Sequence, residues 1–478
     1  MGQVENRADN LIKNTGILAI GTFLPKLTSF VTLPVLTACL SKAEYGTYDL
    51  IATLISLILP IATMKLEAGC FRFLIDVRTD IKASKEIIST ATIFIIPISF
   101  IVVAILYFVL DFGIATNLIV CVYFFLDNIY SALKQIVRGL AKNHIYSLSS
   151  VIQAVLNMIL IVVVVGKAGK GLNGLLMALC ISICVAGMVI FRRISLAKYL
   201  SFRAFSQPML KKMISYSWPM LPNSLSAWVM RLSDRLVVTA VLGVEVNAVY
   251  AVANKIPQLF SLAQNTFAFA WQENASMAVA DDNADEYYSQ MYDTIFQMLS
   301  GMMAGLIAVT PIIFKLLIRG DYADAYYQMP MLFGGMYFSA LSSFLGGIYI
   351  AHMRTKNVGF TTVIAAASNF IINVGLIHII GLYAASFSTL SSYFILWLYR
   401  LVDIRKFQKI KYKTNKMILY LAFLILMSIL CYINSYKMNI VNLVIGMAFA
   451  IGTNWKLAYG LIVKIICWSK RRYDNKKI

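Results

Sequence analysis

The sequence contains little charge and no long polar segment. Charged residues make up 13% of its 478 positions, about half of the roughly 25% found in soluble domains, whereas hydrophobic residues make up 60%. None of the gaps between apolar stretches is long enough to form a soluble catalytic domain. These deficits exclude a soluble protein and indicate a chain that lies mainly within a membrane.

Metal-binding, disulfide and nucleotide-binding patterns are also missing. The seven cysteines include no C-x-x-C pair and the three histidines are scattered, so we expect neither a disulfide framework nor a metal site. The segment Gly166-Lys-Ala-Gly-Lys170-Gly171 has the composition of a phosphate loop, but its spacing is wrong and no Ser or Thr follows Lys170. We therefore expect no cofactor and no enzymatic activity.

Fourteen apolar stretches are each long enough to cross a hydrocarbon layer of about 30 Å. The predicted fold class is all-α: a polytopic membrane protein with about 14 transmembrane helices. With both termini in the cytoplasm, and with Lys134 and Lys315 at the ends of spans 4 and 9 counted with the adjoining connections, the inner side carries 29 Lys and Arg against 6 on the outer side. This positive-inside bias explains the net charge of +20 without a nucleic-acid partner, although the inner connection 272–293 is acidic. The predicted spans 1 to 14 are 14–40, 48–71, 87–110, 113–134, 145–166, 171–191, 213–242, 248–272, 294–318, 328–351, 358–380, 382–399, 417–434 and 440–466.

An internal repeat divides these spans into two lobes. The segment Leu40-Ser-Lys-Ala-Glu-Tyr-Gly-Thr-Tyr48 after span 1 parallels Leu242-Gly-Val-Glu-Val-Asn-Ala-Val-Tyr250 after span 7. Basic runs at 192–212 and 400–416 separate groups of six, six and two spans. We predict a six-helix lobe at 1–200, a second at 201–410, and two further helices with a basic tail at 411–478. Prolines bend spans 1, 2, 7 and 8, which are our candidates for the moving wall.

Five ordered motifs carry a family resemblance. They are Pro34-x5-Leu40-Ser-x-x-Glu44-Tyr-Gly46-x-Tyr48, Arg138-Gly-Leu followed by Tyr146, Tyr216-Ser-x-Pro219-x-x-Pro222, Ser233-Asp234-Arg235, and Tyr250-x-Val-Ala-x-Lys255-Ile-Pro. Over almost the whole chain they resemble the polysaccharide-transporter branch of the multidrug/oligosaccharidyl-lipid/polysaccharide (MOP) superfamily, which includes the Wzx-type O-antigen flippases. The resemblance implies a V-shaped, MATE-like bundle of two six-helix lobes plus two appended helices.

The same resemblance implies a function and partners. Such a protein moves undecaprenyl-diphosphate-linked oligosaccharide from the inner to the outer leaflet of the bacterial cytoplasmic membrane, for O-antigen, capsule or other exopolysaccharide. Its partners would be that lipid-linked oligosaccharide, the membrane lipids, a polysaccharide polymerase and a chain-length regulator. Peptidoglycan-precursor and teichuronic-acid flippases are close variants of this function.

Ionisable residues inside the spans point independently to an anionic substrate. A charge at mid-membrane is costly and by default marks a cavity or a pathway. We predict that the basic residues bind diphosphate and that Asp234 orients the two arginines of span 7 by ion pairing. The alternative is a structural ion-pair network formed by Arg231, Asp234 and Arg235. Away from the last span and from the span ends, the basic residues are Lys26, Lys65, Arg231, Arg235 and Lys255, and the acidic ones are Glu67, Asp127 and Asp234.

Two other functions remain open at the level of sequence. A cation-coupled drug exporter, from the sister branch of the superfamily, needs intramembrane carboxylates such as Glu67 and Asp127, but the excess of basic residues argues against it. A membrane-embedded polysaccharide polymerase is expected to have a large extracytoplasmic loop, which this chain lacks.

Overall fold

The computed structural model describes residues 2–279 and 281–474, and within these ranges the chain forms seventeen α-helices. This confirms the prediction of an all-α, polytopic protein. The helices are α1 Gly2–Cys39, α2 Lys42–Thr63, α3 Leu66–Asp76, α4 Ile81–Val109, α5 Ile114–Gly139, α6 Asn143–Leu160, α7 Gly171–Ile194, α8 Gln207–Ser217, α9 Leu221–Leu242, α10 Val244–Ala253, α11 Lys255–Ala278, α12 Ala284–Leu317, α13 Ala323–Ala351, α14 Thr355–Ile380, α15 Tyr383–Asp403, α16 Thr414–Ile433 and α17 Tyr436–Asp474.

The helices outnumber the predicted spans because three proline-containing spans are each divided in two. Span 2 breaks between α2 and α3, where Met64 and Lys65 take left-handed backbone conformations just after Pro60. Span 7 breaks at a 3₁₀ turn, Trp218–Met220, which contains Pro219. Span 8 breaks between α10 and α11, three residues before Pro257. Proline lacks a backbone donor and blocks regular helix geometry, which accounts for the position of these breaks.

Eleven of the described helices are long and apolar enough to cross a membrane. The predicted spans that do not meet this measure are span 7 (α8 and α9), span 8 (α10 and α11) and span 12 (α15). The helix α15 contains several polar residues. One of these, the charged Arg400, is buried and donates to Thr361 Oγ1 at 3.1 Å and to the Ser342 carbonyl at 2.8 Å. The protein is therefore a multi-pass membrane protein in which some helices carry polar groups within the bundle.

The chain divides by its contacts into two compact units. Unit 1 comprises Met1–Ala251 and the short segment Leu317–Tyr322, and unit 2 comprises Val252–Leu316 and Ala323–Ile478. This division assigns α8, α9 and all but the last two residues of α10 to unit 1. The repeat predicts a different division, at 200/201 and 410/411. That division rests on duplicated sequence rather than on contacts, and it stays a prediction.

Each unit has its own core. In unit 1, α3, α4, α5, α7 and α8 share a buried apolar cluster that includes Leu66, Ile88, Val137 and Met213. Gly69 of α3 makes this packing close, because a Cβ atom there would lie 2.9 Å from the Met213 carbonyl oxygen of α8. In unit 2, α13 is the most buried span and packs against α11, α14 and α15.

The acidic connection of unit 2 is neutralised by a basic one. Residues 408–416 run along the first turns of α12, where Asp285, Ser289 and Asp293 follow one another at intervals of four on one face. Asp285 accepts from the Gln408 side chain and from the Lys409 amide, and Ser289 accepts from the Lys411 amide at 2.9 Å. Asp293 forms ion pairs with Lys413 at 2.7 Å and Lys416 at 3.4 Å. Two of the acidic residues that depart from the charge pattern, Asp285 and Asp293, therefore contact the basic connection 400–416.

Candidate functional site

A buried ion pair joins α2 and α9 within unit 1. Arg235 Nη1 pairs with Asp49 Oδ1, and the two residues are only 7% and 5% exposed. Asn247 of α10, which is fully buried, donates to Asp49 Oδ2 at 3.4 Å and to the Gly46 carbonyl at 3.3 Å. We call Asp49, Arg235 and Asn247 the Asp49 cluster. It links three helices through charged and amide groups in the protein interior.

The cluster is incompletely satisfied. Among the described residues, Arg235 Nε and Asn247 Oδ1 are buried and have no hydrogen-bond partner. Buried polar groups without partners are rare and costly in folded proteins. The Asp49 cluster is therefore less stabilising than a fully bonded network of the same composition would be.

The motif Leu40-Ser-x-x-Glu44-Tyr-Gly46-x-Tyr48 begins α2 and fixes it to α7. Ser41 and Glu44 form a capping box at the start of α2, each side chain bonding the other residue's backbone amide. The second carboxylate oxygen of Glu44 accepts from the Leu172 amide at the start of α7 at 3.0 Å. One glutamate therefore fixes the beginnings of two helices.

Gly46 permits the closest approach of α2 to α10. A Cβ atom at this position would lie 1.9 Å from the Val244 carbonyl oxygen, which is a backbone atom and cannot rotate away. Only glycine fits there without a shift of one helix, because any other residue brings a Cβ atom. The glycine thereby allows Asn247 to reach the Gly46 carbonyl and Asp49.

The segment Leu317–Tyr322 packs on the same end of unit 1. The Arg319 amide donates to Thr37 Oγ1 at 2.9 Å, and the Tyr322 ring lies edge-on to Tyr45 with 6.2 Å between centroids. Lys42 forms an ion pair with Asp321 at 2.6 Å, but Asp321 is 89% exposed and water screens this pair. The segment thus contacts the end of α1 and the beginning of α2, the helix that carries Asp49.

Arg231 and Arg235 lie one helical turn apart but have different environments. Arg231 is exposed, and its Nε donates to the Ala227 carbonyl at 3.0 Å in its own helix. No ion pair joins Arg231 to a carboxylate in the described part of the chain, and that includes Asp234. Asn223, two turns before Arg231 on the same side of α9, is also exposed. Exposed amide and guanidinium groups on a membrane helix indicate contact with water rather than hydrocarbon.

Asp234 is buried and accepts a hydrogen bond from the Tyr250 hydroxyl at 3.0 Å. Tyr250 closes the second copy of the repeated motif, and Asp234 belongs to the Ser233-Asp234-Arg235 motif. Arg235 pairs with Asp49, and the orientation of the two arginines by Asp234 stays a prediction.

Lys26 lies on an exposed side of α1 that carries two parallel stripes. Thr22, Lys26 and Ser29 form a polar stripe at helical spacing, and all three are exposed. Phe23, Leu27 and Val31 form an adjacent apolar stripe, and they are 41%, 42% and 60% exposed. The polar stripe therefore suits contact with water, and the adjacent apolar stripe suits contact with lipid.

Lys65 lies at the break in span 2. It is half-buried, and its left-handed conformation precedes α3. The Met64 carbonyl beside it accepts from Ser217 Oγ at 2.8 Å. Ser217 directly precedes the break in span 7, so this hydrogen bond joins the breaks in spans 2 and 7. Glu67 is buried and accepts from Thr63 Oγ1 at 3.0 Å. Lys255 is half-buried, begins α11 and belongs to unit 2.

Asp49 and Asn247 are the site residues that the sequence analysis missed. A signal was available, because Asp49 is the only charged residue between Tyr48 and Met64 in an otherwise apolar segment. Its position at the end of a predicted span favoured an interfacial location. The structure instead places it in the interior, opposite a residue that is distant in sequence.

The sequence profile of the family described as polysaccharide biosynthesis protein matches residues 11–272, which is more than half of the chain. The chain belongs to this family. The match covers the motifs from Leu40 to Lys255 and the whole Asp49 cluster. No curated protein sequence matches the chain.

Solved structures resemble this family member at low sequence identity. The lipid II flippase MurJ in an inward closed conformation has a TM-score of 0.69 at 15% identity, and the match covers 93% of this chain and 99% of that one. An inward-facing multidrug resistance MATE family transporter of the MOP superfamily has a TM-score of 0.67 at 14% identity, covering 82% and 98%. A MOP superfamily transporter from Pyrococcus furiosus has a TM-score of 0.56 at 14% identity, covering 82% and 95%. The family member thus has the MATE-like fold of the MOP superfamily, as the resemblance implied.

Proposed function

We propose that this protein translocates undecaprenyl-diphosphate-linked oligosaccharide from the inner to the outer leaflet of the bacterial cytoplasmic membrane by alternating access. The observation that carries the proposal is a set of accessible basic residues on the membrane helices of unit 1. Among the described residues, Lys26, Lys65 and Arg231 have no carboxylate within ion-pairing distance. Unpaired cations at these positions are costly in hydrocarbon and suit a water-filled lumen that receives an anion.

A diphosphate matches this arrangement in chemistry. Arg231 offers a planar fork of donors for phosphate oxygens, while Lys26 and Lys65 act as compact charges. Arg235 is already paired with Asp49, so we assign it to helix closure rather than to the substrate in this state. The Pyrococcus furiosus transporter, whose pocket of reversed polarity is said to suggest a different function, supports the view that pocket charge separates functions within this fold.

A role of the Asp49 cluster in closing one end of the transport pathway fits a transport cycle. Alternating access requires one end of the pathway to close tightly and then to open. The Asp49 cluster leaves two buried polar atoms without partners, which limits the stability of this closed end. We propose that this end faces outward, since both termini would then lie in the cytoplasm with the basic connections.

The lipid tail needs a path that stays in the bilayer while the head group crosses. The two stripes of α1 place a polar and an apolar surface side by side. Such a pair of surfaces is required at the edge of an opening between the water-filled pathway and the bilayer. In unit 2, an apolar cavity of about 490 Å³ lies between α13, α15 and α16, with Leu424, Ile425 and Ile429 on the α16 side. We propose that span 13, which is α16, contributes a wall to the path of the tail.

A drug exporter has less support. Such a transporter needs an accessible carboxylate for its cation. Glu67 is buried and accepts from Thr63, and Asp127 is half-buried on α5 beside the basic Lys134. The likeness to a lipid II flippase also supports a lipid-linked substrate over a drug. The polymerase and the chain-length regulator remain proposed partners.

The proposal is tested by translocation of fluorescent undecaprenyl-diphosphate oligosaccharide in proteoliposomes. Arg231→Ala should abolish translocation while leaving the purified amount near normal, because Arg231 has no buried partner to strand. Arg231→Lys should restore only part of the rate, since lysine lacks the bidentate fork. Lys437→Gln, which removes one exposed charge at the start of α17, is the matched control and should behave as wild type.

Two results would contradict the proposal. Wild-type translocation by Arg231→Ala would remove the anion-binding role on which it depends. Transport of cationic drugs but not of the lipid-linked oligosaccharide by the wild-type protein would favour the exporter function instead.

A further inference from the structure

The connection between α7 and α8 is fixed to α4 by hydrogen bonds. Ser89 Oγ of α4 donates to the Tyr199 carbonyl at 2.9 Å and accepts from the Ser201 amide at 3.0 Å. Thr90 Oγ1 accepts from the Ser206 amide at 3.0 Å. The connection therefore has a defined position on α4, and its two 3₁₀ turns, Leu196–Tyr199 and Phe202–Ala204, do not lie loosely at the surface.

An apolar slot of about 300 Å³ lies beneath this connection. Its walls are Thr92, Ile93, Ile96 and Pro97 of α4 together with Leu200 and Phe202. From Ser89 to Pro97 the helix rises by about 12 Å, so the slot has the length of several methylene groups.

The slot continues a lipid-facing surface of α4. One turn beyond Pro97, at helical spacing, Phe100, Ile101 and Ile105 are each more than half exposed. A membrane helix with an exposed apolar stripe of this kind lies against hydrocarbon. The exposed apolar stripe of α4 therefore leads into the slot, which lies under the connection at the membrane interface.

The connection that covers the slot is strongly basic. Residues 191–212 contain six Lys and Arg and no Asp or Glu, and all six basic side chains are exposed. Phe202 is 89% exposed, and Phe205 follows three residues later, on the same side of a 3₁₀ turn. Exposed aromatic rings among basic residues are typical of segments that insert at an anionic membrane surface.

We propose that this slot is a binding site for an anionic phospholipid of the leaflet on the side of the basic connections. One acyl chain fills the slot between α4 and residues 200–202, and Lys198 and Arg203 bind the phosphate. Charge complementarity selects this ligand, because six positive charges without a negative one favour an anionic head group over a zwitterionic one. The site is separate from the proposed diphosphate site, since its residues lie on α4 and the α7–α8 connection.

Native mass spectrometry of the purified full chain tests the site directly, with phosphatidylglycerol and phosphatidylethanolamine of identical acyl chains as probes. The wild-type protein should retain phosphatidylglycerol in preference. The double variant Lys198→Gln with Arg203→Gln should lose this preference by about fivefold per charge, or about 25-fold in all. Lys409→Gln with Lys411→Gln removes the same charge from the other basic connection and should keep the preference.

The slot itself is tested by filling it. Ile93→Trp, or Ile96→Trp as a second variant, should lose retention of both lipids, whereas Ile101→Trp on the exposed stripe should retain them as the wild type does. Size-exclusion profiles confirm that each variant is folded. Equal loss of preference in both charge variants would show diffuse surface attraction and overturn the site. Wild-type retention by folded Ile93→Trp and Ile96→Trp would show that no acyl chain occupies the slot.

Discussion

The Asp49 cluster offers a double-mutant cycle that separates folding from substrate binding. Replacing Arg235 by Met leaves Asp49 charged in a position only 5% exposed, with the Asn247 amide as its remaining donor at 3.4 Å. Replacing Asp49 by Leu leaves the Arg235 guanidinium buried in turn. Each single change should therefore destabilise the protein, and the double change should remove both stranded charges.

The expected magnitudes follow from burial. Breaking a buried ion pair by removing one partner costs about 3–5 kcal/mol, whereas replacing both partners by apolar residues of similar volume is often nearly neutral. Asn247 keeps its bond to the Gly46 carbonyl in the double variant, so no new donor is orphaned. We expect a coupling energy of at least about 2 kcal/mol between the two positions. The exposed pair Arg72 and Asp76 of α3, changed in the same way, should couple by no more than about 0.5 kcal/mol.

Thermal unfolding in detergent and membrane abundance measure stability, and translocation in proteoliposomes measures function. If Arg235 only helps to close the pathway and does not bind the substrate, Asp49→Leu with Arg235→Met should recover both abundance and translocation. Recovered abundance without translocation would assign Arg235 to the diphosphate, as the sequence predicts. Additive effects of the two changes, equal to those at Arg72 and Asp76, would refute the buried pair itself.

Hydropathy and charge were sufficient to predict the fold class. The apolar runs predicted helices throughout, because this effect depends on local sequence. Proline occurs in each span that breaks, but span 1 remains one helix with Pro25 and Pro34 inside it, so proline alone did not predict the breaks. The burial of Arg400 was not predictable in this way. It occurs at the start of a basic connection in the sequence, and only the packing of α15 against α13 and α14 supplies the carbonyl and hydroxyl acceptors that accommodate it.

The sequence singled out Arg235 but not its partner in the structure. Spacing within one helix offered Asp234 as the partner of both arginines, since residues three and four apart are neighbours. The partner of Arg235 is Asp49, on a helix that is distant in sequence, and their contact depends on the packing of α2 against α9. Contacts of this kind arise from tertiary packing, which no local pattern encodes.

Three further predictions concern the closed end, the tail and the energy source. Gly46→Ala should lower membrane abundance sharply because its Cβ would overlap the Val244 carbonyl, whereas Gly359→Ala, which has open space around it, should express normally. A photoreactive polyprenyl analogue should label α16 next to Leu424 and Ile429, and labelling confined to other helices would exclude α16 from the path of the tail. Translocation should accelerate with an inside-negative potential, since two negative charges leaving through about 150 mV gain about 7 kcal/mol if they cross the whole field. Because no phosphate-loop spacing occurs in the sequence, ATP should have no effect, and translocation that ignored potential and every ion gradient yet required ATP would contradict this mechanism.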